Sequence, residues 1–348
     1  MQSINQNRRT FAAFTAVSAI ATAATSLWAQ PRFEKSKITI SVGGKATLYY
    51  LPLTIAEQLG YFKAEGLDVE LLDVNSGAAA LQAARAGSAD VVSGAFEHTI
   101  QLQSKGHMFQ AFVLQGRAPA ISLGIANKDV QPIKSVADLK GKTIGVTSTG
   151  SSTHMLAQLM LSRAGVKPGE VVFRGVGTAA GALTAWRAGQ LDALCYGDPV
   201  MSLLEQKGEI RLITETRTLK GALDMFGGVM PAACLYAPQE FIQKNPDTVQ
   251  ALTNAIVHSL KWLQTAAPSD LIKAVPEAYL MGDRAMYMTA FNKVREAISP
   301  DGMMLEDAPR TALKVLADFD TGIKPDKIKI GLTYTNNFAR NAKAQFNA

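Results

Sequence analysis

Apolar and polar positions in this chain alternate between a period of two and a helical period, and the same order of runs occurs twice. Ile38–Val42, Val69–Val74 and the apolar pair Val91-Val92 read as strands, with helix-like runs between them. The same order returns at Thr143–Val146, Val171–Val176 and Ala193-Leu194-Cys195. The helical run Ala80–Arg85 is followed by Ala86-Gly87, then Asp90; Ala182–Arg187 is followed by Ala188-Gly189, then Asp192. Leu81 and Leu183, like the Arg, Ala, Gly and Asp that follow each of them, stand 102 residues apart without a gap. In both copies the helix should end at the glycine. Each unit therefore reads strand, loop, helix, strand, loop, helix, strand. Together they predict an α/β protein of two similar lobes, with a cleft that can close on something held between them.

The spacing also predicts how the lobes connect. Ile121–Ala126 and Cys234–Ala237 are apolar runs at the two ends of the second unit, and they are expected to be the crossings, a two-stranded hinge. The first lobe is expected to comprise residues 36–122 and 236–348, and the second residues 127–232. Beyond Pro238 the pattern is helical over Phe241–Lys244, Thr248–Thr265, Ser269–Tyr279, Ala285–Ile298 and Arg310–Phe319. The tail after Asn336 is polar and is expected to fray.

Composition adds the compartment. Arg8-Arg9 precede an apolar, Ala-rich run from Phe11 to Leu27, and no acidic residue occurs before Glu34. This is the order of a secretory signal, with Ala29 as the last residue removed. Arg8-Arg9-Thr10-Phe11 also fits a twin-arginine route. A periplasmic location follows by either path. The formal charge is +6 over 348 residues, falls to +4 without the two leader arginines, and is spread with no basic block, which excludes a nucleic-acid partner. Cys195 and Cys234, the only cysteines, read as small buried apolar residues rather than a disulfide.

In open α/β sheets, ligands bind beyond the carboxyl ends of the strands. The candidate loops are Gly43–Leu51 with Tyr49 and Tyr50, Asn75-Ser76-Gly77, Ser93–Glu97, Thr147–Thr153, Gly177-Thr178 and Tyr196-Gly197-Asp198. Small residues and hydroxyls ahead of a helix suit an oxyanion such as a sulfonate, carboxylate, phosphate or nitrate. Glu97 and Asp198 are the acids in these loops; Asp198, just before Pro199, is better suited to capping a helix. Trp186 lies in a helical run and is expected to pack, and Arg117 is the basic residue nearest the loops. His98, His107, His154 and His258 are scattered without metal-ligand spacing, and no nucleophile motif occurs. Catalytic residues, metal and cofactor are therefore all expected to be absent. His154 is the histidine placed beside the hydroxyl run.

Several segments resemble the nitrate/sulfonate/taurine group of solute-binding proteins that serve ABC importers. They are Tyr50-Leu51-Pro52-Leu53 with Ile55-Ala56-Glu57, the stretch from Gly60-Tyr61-Phe62 to Val69, Asn75-Ser76-Gly77, Asp138-Leu139-Lys140-Gly141-Lys142 with Thr143–Val146, and Phe241–Pro246. The resemblance covers most of the chain after the leader. It implies the two-lobed periplasmic-binding-protein fold of type II and a monomer that passes a small anion-bearing solute to a membrane permease and its ATPase. It also maps the ligand loops onto Tyr50, Ser76, Gly77, Phe96, Ser148, Gly150, Ser151, Thr178 and Asp198. Pyrimidine-precursor synthases of thiamine biosynthesis resemble the same group and supply an enzymatic alternative. A sensor subunit docking on a receptor is a third.

Overall fold

Two five-stranded sheets with the same strand order organise the molecule, seen here in a computed structural model that describes residues 33–127 and 133–348. The expected leader lies outside the described residues. The first half supplies β1 (Lys37–Gly43), α1 (Leu51–Gln58), α2 (Tyr61–Ala64), β2 (Asp68–Val74), α3 (Gly77–Arg85), β3 (Val91–Ala95), α4 (Glu97–Ser104) and β4 (Phe109–Leu114). The second supplies β5 (Ile121–Ala126), β6 (Thr143–Val146), α5 (Ser152–Arg163), β7 (Val172–Gly175), α6 (Ala179–Arg187), β8 (Ala193–Gly197), α7 (Val200–Gln206), β9 (Ile210–Glu215) and α8 (Leu219–Phe226). The chain then forms β10 (Ala233–Pro238) and the helices α9 (Gln239–Lys244), α10 (Pro246–Thr265), α11 (Pro268–Ala274), α12 (Arg284–Val294), α13 (Ala308–Ala317) and α14 (Asn337–Phe346).

The sheets run β2-β1-β3-β10-β4 and β7-β6-β8-β5-β9. Position by position, β6, β7, β8 and β9 stand where β1, β2, β3 and β4 do. The sequence repeat has a structural cause in each copy. Gly87 and Gly189 take φ of 79° and 67°, the left-handed conformation that stops α3 and α6. Ser88 N and Gln190 N then reach back to the carbonyls of Ala83 and Ala185, at 2.9 and 3.1 Å. The aspartates pin the first strand of each lobe: Asp90 accepts from Thr39 N at 3.1 Å and Asp192 from Thr143 N at 2.8 Å.

The crossings differ from expectation. β5 and β10 are interior strands, each antiparallel to both neighbours and each in the sheet the chain has just reached. The connectors before them cross between lobes and pair with one another. Ala232 N donates to Gly116 O at 2.9 Å, Gln115 N to Ala233 O at 2.7 Å, and Ala120 N to Thr216 O at 3.1 Å. Apolar composition suits a central strand as well as a crossing, and only the distant partners tell them apart.

The tail is also ordered. Phe338, Ala342 and Phe346 recur at four-residue spacing, and α14 lays that face on α10 and β4. His258 of α10 stacks between Tyr61 and Phe346, with ring centroids 3.8 and 4.8 Å away. The run expected over Ser269–Tyr279 is broken, because Pro276 ends α11 and a short 3-10 turn follows. Cys195 and Cys234 are free and buried. Among the described residues no helix is long and apolar enough to cross a membrane.

Candidate binding site between the lobes

At the end of β1 the backbone comes so close to α3 that only glycine fits. A Cβ on Gly43 would lie 2.1 Å from both Gly77 N and Ser76 C. Ser76 caps α3, its hydroxyl accepting from Ala79 N at 3.2 Å. The open face of Gly77 is covered by the Tyr50 hydroxyl and His98, which would stand 3.6 and 3.7 Å from a Cβ there. Tyr49 and Tyr50 pack edge to face at 4.9 Å.

The opposite wall is the hydroxyl loop before α5. Thr147 N donates to Thr153 Oγ1 at 3.0 Å, and the Ser148 and Ser151 hydroxyls bond at 2.9 Å. Gly150 has φ of 82° and donates its N–H to His154 Nδ1 at 3.2 Å. Ser151 stands at the N-cap of α5 but makes no side-chain capping bond. Its hydroxyl instead accepts from Ala78 N, in the first turn of α3, at 3.4 Å across the cleft.

Further contacts hold the lobes together. His98 Nε2 lies 3.2 Å from Gly150 O, and His98 Nδ1 2.9 Å from the Tyr236 hydroxyl. A carbonyl only accepts, so Nε2 carries the proton and Nδ1 accepts from Tyr236. Burial pushes the His98 pKa down to about 4, so the imidazole stays neutral. Leu48 N donates to Asp198 O at 2.8 Å. What remains between the walls is a cavity of about 30 Å³ lined by neutral residues, among them Tyr49, Tyr50, Gly77, Thr147, Thr153 and Tyr196.

The expected site residues divide accordingly. Tyr50, Ser76, Gly77, Ser148, Gly150 and Ser151 meet across the cleft. Thr178 opens α6 on a wider groove of about 490 Å³ that also includes Asp73 and Tyr279. Phe96 is fully buried in the core. Asp198 is 2% exposed; its carboxylate accepts from Ser202 N at 2.8 Å and stands 3.5 Å from Arg217. Burial raises its pKa, and Arg217 opposes that shift. Arg217 also pairs with Glu205 at 2.7 Å and Glu215 at 2.5 Å. Trp186 packs in the core of the second lobe, as expected, and Arg117 bonds to Glu296 O. His98, Tyr236 and Arg217 were not singled out by the sequence. For His98 the available signal was its place in the first turn after a strand-end loop. Among the described residues no three His, Cys, Asp or Glu side chains converge as a metal group.

Two matched lobes joined by paired connectors, with helix N-termini facing each other across a cleft, are the periplasmic-binding-protein fold. The chain belongs to the NMT1/THI5-like family, whose model matches residues 47–269. A solved protein of Bordetella bronchiseptica RB50 is 52% identical, covers 91% of this chain and all of its own, and superposes with a TM-score of 0.89. The alkanesulfonate-binding protein SsuA of Xanthomonas axonopodis, solved with MOPS, shares the fold at 19% identity and TM-score 0.64, covering 87% of this chain and 99% of its own. Among curated relatives, the putative binding protein YtlA of Bacillus subtilis is 23% identical over 75% of this chain and 77% of its own. The 4-amino-5-hydroxymethyl-2-methylpyrimidine phosphate synthase of Schizosaccharomyces pombe is 24% identical over 70% of this chain and 68% of its own.

Proposed function

We propose that this chain is the periplasmic solute-binding component of an ABC importer. It takes a small anion-bearing solute, of the sulfonate, nitrate or taurine kind, into the inter-lobe cleft and hands it to a permease without catalysis. The observation that carries this reading is the Ser151 hydroxyl at the N-terminus of α3. A hydroxyl from one lobe fills an acceptor position on a helix of the other, and an anionic oxygen is a stronger acceptor at the same place. The N-terminus of α5 faces it, so a solute between them is bound best when the lobes close, and its differential affinity drives closure. The leader at Arg8-Arg9, the SsuA likeness and the relatives named as binding proteins support export and delivery.

The test is a thermal-shift panel of sulfonates, nitrate, bicarbonate and carboxylates on the protein without its leader. A solute at one hundred times its dissociation constant adds about 2.7 kcal/mol, or about 4 °C for a chain of this size. Ser151→Trp, which props the lobes apart, should abolish the shift while the far-UV circular dichroism spectrum stays that of the folded protein. An unchanged shift in that variant would reject the site. The synthase among the relatives favours a second reading, an enzyme that makes the pyrimidine precursor of thiamine. Formation of a pyrimidine phosphate by the purified protein would replace the first reading with the second.

A further inference from the structure

Among the described residues, the enclosed polar atoms with no hydrogen-bond partner include Glu97 Oε2 and the Tyr49 hydroxyl, both beside the cleft. Glu97 opens α4 and is 6% exposed. An acid in a first helical turn is favoured by the helix dipole, but that benefit does not require burial or an unpaired oxygen. A carboxylate oxygen without a donor in the interior is among the costlier arrangements a fold can hold.

The position of Glu97 suggests what completes it. It lines a small cavity with Ile121, Ser152, Met155, Phe226 and Met230. Ile121 and Ser152 also line the cavity that holds Tyr49, so the two spaces share a wall. The titratable groups facing Glu97 are Tyr49 and Tyr50 from the turn before α1, and Cys234 and Tyr236 from β10. Burial holds all four in their neutral forms. His98, next on α4, is neutral and bonded on both nitrogens. Among the described residues no lysine or arginine contributes to the state of Glu97, which is governed by burial and its own backbone N–H.

We propose that Glu97 is a specificity-determining residue of the cleft, and that the solute carries a cationic nitrogen that docks on its free oxygen beside the Tyr49 hydroxyl. The acceptor end of the same solute then takes the place of the Ser151 hydroxyl at α3. This inference rests on the cleft reading above and narrows it from an anion to a molecule with both an amine and an acid end. A simple anion would leave Oε2 unpaired and set a like charge near it.

The pH dependence gives the sign. Burial pushes the empty-cleft Glu97 pKa up to about 7. A cationic nitrogen prefers the ionised carboxylate, so affinity rises as pH passes upward through that value. An anion accepting from the protonated acid would show the reverse.

Calorimetry on matched pairs tests this: 2-aminoethanesulfonate with ethanesulfonate, β-alanine with propionate, and 4-(aminomethyl)benzoate with 4-methylbenzoate. Each is measured at pH 5.5 and 8.5 on the wild type, Glu97→Gln and Tyr49→Phe. At pH 8.5 an amine-bearing member should bind at least about thirtyfold tighter than its twin, the lower end of what a buried charge pair contributes. That preference should fall about thirtyfold at pH 5.5, as the ionised fraction of a group titrating near 7 does. Glu97→Gln should bind both twins alike, and Tyr49→Phe should weaken only the amine-bearing one. Twins bound equally by the wild type, or an amine preference that survives in Glu97→Gln, overturns the inference and leaves the cleft reading standing. A panel in which nothing binds the wild type overturns the inference, and the cleft reading then falls only if the wider panel above is blank as well.

Discussion

Replacing Arg217 with Met tests what holds the crossing region in place. The guanidinium is 4% exposed and lies just past β9, where the second crossing begins. It faces three carboxylates, and only that of Asp198 is fully enclosed, with no exposed side-chain surface. Methionine keeps the volume of the stem and removes the charge. Glu215 turns to water and Glu205 keeps Lys293 at 3.1 Å, so the loss concentrates on Asp198. Stranding one member of a buried pair costs about 3–5 kcal/mol. With an unfolding entropy near 2.1 cal/mol/K per residue, that lowers the thermal midpoint by about 5–8 °C in a folded unit of this length. The pH dependence separates charge from packing. Asp198 already has a raised pKa, from burial with Arg217 in opposition, and the variant raises it further. An acid whose folded pKa lies above its unfolded value binds more proton when folded. Its penalty is therefore absent below the unfolded value and grows as pH rises toward the folded one. The midpoint gap between wild type and variant should accordingly be small near pH 4 and widen toward pH 8 in a calorimetric scan. A gap that is constant with pH, or below about 2 °C at neutrality, would show that Arg217 acts through packing alone.

Two further substitutions test the cleft walls. Gly43→Ala places a methyl group 2.1 Å from two backbone atoms at the start of α3, which cannot yield as a side chain would. We expect a loss of about 1–3 kcal/mol in denaturant unfolding, together with weaker solute binding, since α3 must move. His98→Phe removes a group whose folded pKa burial depresses to about 4. A base depressed in this way contributes stability above its unfolded value near 6.5 that is lost as pH falls toward 4, so the acid limb of the stability curve should become shallower in the variant. An unchanged limb would assign that slope to His154 and His258, whose pKa values burial also lowers.

Much of the fold was legible because its rules are local or repeated. The Ala-Gly and Asp spacing of the two copies marks a helix stop and a pin on a neighbouring strand, and both appear in each lobe. The α14 helix was equally legible in the four-residue spacing of Phe338, Ala342 and Phe346, but polar composition hid it. The crossings were not legible, since β5 and β10 are identified by pairing with strands many tens of residues away.

The site shows where the strand-end rule stops. The loops it selects from the two lobes do approach one another, with Ser151 on the first turn of α3 and Ser148 bonded to Ser151 behind it. Within one loop, however, it cannot say which way each side chain points. Phe96, Glu97 and His98 are consecutive at the start of α4, so their side chains leave the helix about 100° apart. One joins the core, the next keeps an unpaired oxygen beside the cleft, and the third reaches the opposite lobe. The family resemblance places Phe96 among the ligand loops. The helical turn instead gives the cleft to its two polar neighbours, so a strand-end loop is better read together with the first turn of the helix it opens.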